Sequence, residues 1–122
     1  MFFYIYEKMQ ISRRHRYGSK VWANEVMQGA PIIQDFLETQ LRSWTDGRIE
    51  SIQAWIAAGK IRSVEPRWVM YMIWATTQHY ADFGHQIETL NADAPLSEAQ
   101  WEAASETVFE VIWNGLAPKQ SL

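Results

Sequence analysis

The sequence predicts an all-α fold, a bundle of about five helices formed within one domain of residues 1–122. Three observations predict it. Gly and Pro punctuate the chain at helix-sized intervals, and between them apolar residues recur every three or four positions. Stretches that alternate apolar with polar are few: residues 8–12 and 51–54 are short, and residues 89–94 are built of Asn, Asp and Ala, which strands disfavour.

The first helix is expected over residues 2–16, stopping at Tyr17-Gly18, where Gly permits the positive φ of a C-cap. Tyr4, Ile5, Met9 and Ile11 read as its packing residues, with Arg13, Arg14 and Arg16 at a solvated end. Ser19 suits the N-cap of a short second helix over residues 19–28, because its hydroxyl can accept from an orphan first-turn N–H. Gly29-Ala30-Pro31 closes that helix, and Pro31, which lacks an N–H that would have had no partner, opens the third. Ile33, Leu37, Leu41 and Trp44 give the third helix an apolar face that Ile52, Trp55 and Ile56 resume until Gly59-Lys60. Its length would be about 40 Å. Asp46-Gly47 is the point at which it would split in two, since Gly costs about 1 kcal/mol relative to Ala in a helix interior.

Glu65-Pro66 opens a fourth helix that is expected to run to Leu90, and residues 91–95 read as a loop. Ser97 with Gln100 makes a capping-box pattern for the fifth, which ends near Gly115 before Pro118. Glu98, Glu102, Glu106 and Glu110 step along one side of it; Trp101, Ala104, Val108, Val111 and Ile112 fall towards the other.

At this length about two thirds of the unfolded chain's surface is buried on folding, enough for a core without staples. There is no Cys, which excludes disulfides, Cys-ligated zinc, iron–sulfur clusters and thiol catalysis. With 48% hydrophobic residues, 20% charged and a net charge of −3, the chain is neither disordered by composition nor a polybasic binder of nucleic acid. Charge is unevenly spread. Lys8, Arg13, Arg14, Arg16 and Lys20 crowd the first segment, only Lys119 follows Arg67 among the bases, and every charged side chain from Asp82 to Glu110 is acidic. These read as two solvated faces of opposite sign, or as a basic edge beside a nucleic-acid-binding neighbour. No targeting segment is recognisable at Phe2 to Tyr6, and the apolar run over residues 68–81 falls short of the roughly 20 residues of a membrane helix, so a cytoplasmic protein without membrane contact is expected.

Chemistry concentrates on the fourth helix, where Trp74, Gln78, Ala81 and Asp82 share one side. Trp stacks on a planar ring while the Gln amide can bond a complementary donor–acceptor pattern on its edge, as a nucleobase or similar heterocycle presents. Spacing alone does not separate this from a packed indole and an amide that satisfies a buried backbone group. His79, Asp82 and His85 offer the nearest approach to a metal set, and a small helical-bundle metal protein or enzyme built on them is the alternative reading. The Glu-x-x-His pairs such bundles use are missing, as are a nucleophile elbow, GxGxxG and a P-loop, so neither enzyme, metal nor cofactor is expected.

The run Met72-Ile73-Trp74-Ala75-Thr76-Thr77-Gln78-His79-Tyr80-Ala81-Asp82-Phe83 closely resembles the C-terminal domain of TetR-family transcriptional regulators, in particular pyrimidine-responsive ones. Gly29-Ala30-Pro31, Gly59-Lys60 and Glu65-Pro66 support it at matching spacing, and the likeness covers about residues 5–90, with the last helix matched by pattern. The resemblance implies a ligand-binding domain that forms a homodimer through its last two helices. It implies a small-molecule effector held by Trp74 and Gln78, with Trp22 and Glu25 as candidates for the opposite wall. For the dimer surface the candidates are Thr76, His79, Phe83, Trp101, Val108 and Ile112. Operator DNA would be met only through an N-terminal helix-turn-helix domain, which these residues lack. A fragment or truncated frame is therefore expected rather than a stand-alone sensor or interaction module, since Phe2 to Tyr6 would expose several aromatics.

Overall fold

The computed structural model describes residues 1–118, so Lys119 lies outside the described residues. All regular structure among them is helical, in the order α1 (Phe2–Arg14), α2 (Arg16–Met27), α3 (Gln34–Phe36), a π-helical turn (Leu37–Leu41), α4 (Arg42–Ala57), α5 (Pro66–Asp82), α6 (Gly84–Leu90) and α7 (Glu98–Leu116). From α3 through the π turn to α4 the helix is uninterrupted and forms one long rod.

The first two helices meet at His15 (φ −124°, ψ 40°), not at Tyr17-Gly18, and Gly18 sits inside α2. Because α2 follows α1 so directly, the Ser19 N–H already finds the His15 carbonyl at 3.0 Å. Ser19 is therefore not an N-cap. Its hydroxyl donates across to Asp82 Oδ1 at 2.6 Å instead.

Two glycines in the left-handed region end helices as expected. At Gly29 (φ 87°) and Gly59 (φ 72°) paired backbone bonds close the turn: Gly29 N to Val26 O and Ala30 N to Glu25 O, then Gly59 N to Ile56 O and Lys60 N to Trp55 O. Pro31 lies in the turn after the first closure rather than within the rod, which begins at Gln34. Asp46-Gly47 does not split the rod. The propensity cost of one Gly is small beside the packing of Thr45 and Ile52, both buried on the same segment.

Pro66 occupies the first turn of α5 with Glu65 as its cap, whose carboxylate accepts from Arg67 N at 3.3 Å. The helix expected over residues 65–90 bends at Phe83 (φ −114°, ψ 29°), which separates α5 from α6. The capping box of α7 is formed, with Gln100 N donating to Ser97 Oγ and Ser97 N to Gln100 Oε1.

A core of Ile5, Ile52, Ile61, Val69, Met70, Ile73, Ile112 and Leu116 joins α1, α4, α5 and α7. On its far side α7 is anchored by Arg62 N, which donates to the Leu116 carbonyl at 2.8 Å. Two residues expected inside are not: Ile11 is 48% exposed and Val111 68%, each a step off its helix's buried face. The opposed charges of the sequence prove to face each other. Arg16 pairs with Glu88 at 2.8 Å, linking α2 to α6, and Arg13 pairs with Glu98, linking α1 to α7. Exposed pairs of this kind are screened by water and contribute little to stability, so they orient helices that the core already holds.

Candidate functional site

Helices α1, α2 and α5 and the long rod enclose a cavity of about 880 Å³. That is the size range of pockets for drug-sized ligands. Helix α1 contributes Tyr4, Lys8, Ile11 and His15, spaced four, three and four residues apart, so one stripe of the helix faces inward. Trp74 and Gln78 come from α5 and Trp22 from α2. The rod supplies Phe36, Gln40, Leu41 and Trp44 around the π turn, whose wider winding brings residues four and five apart onto one side.

The wall is mostly aromatic. Trp44 and Trp74 lie 6.4 Å apart between ring centroids at 27°, Tyr4 and Trp44 5.9 Å apart, and Trp22 meets Phe36 edge-on at 5.8 Å. The Trp74 indole Nε1–H donates to Tyr4 Oη at 2.7 Å, which fixes the plane of the indole. Burial pushes the Tyr4 phenol above its ordinary value, against the opposing effects of that hydrogen bond and of Arg48.

Among the polar groups of this wall, the Gln78 amide and the Lys8 ammonium are half-buried without a protein partner among the described residues. The amide makes no side-chain hydrogen bond among them, and the ammonium neither a hydrogen bond nor an ion pair. Burial holds it below the usual lysine range, and Asp82 opposes that effect.

Trp22, Trp74 and Gln78 thus share the cavity, whereas Glu25 does not line it. Glu25 Oε2 accepts from the backbone N–H groups of Ile32 (2.6 Å) and Ile33 (3.0 Å), so the side chain closes the turn into the rod. Of the candidates for the dimer surface, Thr76 donates to the Met72 carbonyl of its own helix, and His79 stacks on Phe83 at 5.0 Å. Phe83 is 53% exposed. Trp101 is half-buried against Tyr80 and under the Arg13 guanidinium, Val108 packs partly on the core, and Ile112 is inside it. As for the metal set, Asp82 is engaged by Ser19, and among the described residues no three His, Asp or Glu gather closely enough to hold an ion. No helix among them is long and apolar enough to cross a membrane.

A family model described as the C-terminal region of YcdC-like proteins matches residues 1–119. The chain belongs to this TetR C-terminal family. The HTH-type transcriptional regulator RutR of Escherichia coli O157:H7 is 34% identical over 116 residues, which cover 95% of this chain and 55% of the relative. Those of Escherichia coli K12 and Shigella flexneri are 33% identical over the same shares. The chain spans about half the length of the curated relatives it matches. Within the TetR C-terminal family frame, the wall residues that sequence reasoning passed over are Tyr4, Lys8, Phe36, Gln40 and Trp44. Their signal was periodicity: Tyr4 with Lys8, and Phe36 with Gln40 and Trp44, repeat the four-residue step of Trp74 and Gln78.

Proposed function

We propose that the chain is the effector-binding and dimerisation domain of a TetR-family transcriptional regulator, and that its cavity takes a small planar ligand such as a pyrimidine base. The observation that carries this reading is Gln78, an amide held among aromatic rings with no protein partner, where a structural role would have given it a buried backbone group to satisfy. A ring that slides between Trp74 and Trp22 meets the amide with its edge, and donor and acceptor are both available there. In this reading two copies pair through α5, α6 and α7. Trp68 and Met72 on α5, Phe83 at the break between α5 and α6, Leu90 at the end of α6 and Val111 on α7 are exposed apolar side chains on these helices. The ligand then favours one arrangement of the pair, and so one spacing of the helix-turn-helix segments that these residues do not include.

Native mass spectrometry of the purified chain with and without uracil tests both parts. The expected spectrum is a dimer that gains one uracil per protomer, with the gain lost in Gln78→Ala and the dimer lost in Phe83→Glu. Undiminished uptake by Gln78→Ala would remove the amide from the site, and an unchanged dimer in Phe83→Glu would remove Phe83 from the interface.

A further inference from the structure

Lys8 is the half-buried charge of the cavity wall, and a neutral ring leaves it unpaired. Its ammonium is half-buried beside the aromatic residues and has no hydrogen-bond or ion-pair partner among the described residues. An ammonium taken out of water without a partner is costly, so the ligand-free wall carries a charge that a suitable ligand relieves. We infer that the ligand of this cavity carries an anionic group, a carboxylate or similar oxyanion on a planar ring, whose oxygen bonds the Lys8 ammonium while the ring lies against Trp74 and reaches Gln78. This rests on the effector-binding reading and names the chemical class of the effector.

The neighbouring charges are consistent with that assignment. Asp82 is the carboxylate that acts on Lys8, but it is not part of the cavity lining and its Oδ1 already accepts from the Ser19 hydroxyl. Glu7 does line the cavity, yet it is exposed, where water screens its repulsion, and it also borders a smaller cavity of about 280 Å³ that contains Arg48. His15 is exposed as well. Lys8 is therefore the half-buried charge in the wall, and its interaction with a ligand is the least screened. The volume of about 880 Å³ leaves space for a substituent beyond a single six-membered ring.

Isothermal titration of the 122-residue chain with uracil and with uracil-6-carboxylate tests the inference, because the two probes share the ring and differ in the charge. The carboxylate is expected to bind at least about tenfold tighter, the scale of one charge-assisted hydrogen bond. Lys8→Met should abolish that advantage, read as the ratio of the two affinities within the same variant, while Lys8→Arg should retain part of it. Equal or weaker binding of the carboxylate, with uracil still bound, would overturn the anionic assignment and leave the effector-binding reading standing. An advantage that survives in Lys8→Met would overturn the role of Lys8, and binding of neither probe would overturn both readings.

Discussion

Single residues separate conformational effects from contact effects in this chain. Gly47 and Gly59 both have open space where a Cβ would be, so substitution at either adds no clash. They differ in backbone. Gly59 has φ 72° at a helix end, while Gly47 sits inside α4. Gly59→Ala should therefore destabilise by about 1 kcal/mol and Gly47→Ala stabilise by about 1 kcal/mol. In urea, opposite shifts of the midpoint at unchanged m-value are the expected result; shifts of the same sign would contradict it. Lys8 gives a pH dependence. Burial lowers its folded-state pKa below the ordinary 10.5, so the folded chain is penalised while the ammonium is charged, and the penalty fades as pH rises through that window. Relative to the unsubstituted chain, Lys8→Met should have a higher Tm at pH 7, and the gain should shrink as pH approaches 10.5.

At the level of helices, the π turn shapes one wall of the cavity. It places Phe36, Gln40, Leu41 and Trp44 on one wall, and Phe36 against Trp22. Deleting the exposed Thr39 should convert the turn to ordinary α geometry and rotate residues 34–38 by about 100° relative to α4. Far-UV circular dichroism should be unchanged while uracil affinity falls at least about tenfold; retained affinity would mean that the wall does not depend on the wider turn. Nothing in Leu37-Glu38-Thr39-Gln40-Leu41 announces this winding, because its apolar spacing also fits an α-helix. The helical class, the Gly29 and Gly59 closures, Pro66 and the Ser97–Gln100 box were legible because each depends on a few adjacent residues. The break at His15 was not, since no Gly or Pro adjoins it, nor was the one at Phe83, since Gly84 beside it lies inside α6 without a positive φ. The same division runs through the cavity. Trp74 and Gln78 were legible as candidate chemistry from their shared helix face and Trp22 only through the family resemblance, whereas the absence of a partner for Lys8 depends on which helices surround it, and Glu25 was drawn away by two amides of a turn.

For the molecule as a whole, stability is unequally distributed. The core joins α1, α4, α5 and α7, and α2 contributes no fully buried residue to it. What holds α2 is its half-buried packing on α5, the contact of Trp22 with Phe36, and polar ties: Ser19 to Asp82, Arg16 to Glu88, and the Glu25 carboxylate on the turn that follows. Helix α2 is also one wall of the cavity, through Trp22. Such a helix can open before the rest unfolds, since its detachment exposes half-buried rather than fully buried side chains and breaks one ion pair and a few hydrogen bonds. Its amide hydrogens should exchange with solvent well before those of α5, and faster still at high ionic strength, when followed by mass spectrometry. Equal protection of the two helices would show that α2 unfolds only with the core. Under the proposed effector-binding reading, a loosened α2 would widen the way into the cavity, so an occupant's residence time is expected to shorten wherever α2 exchange quickens.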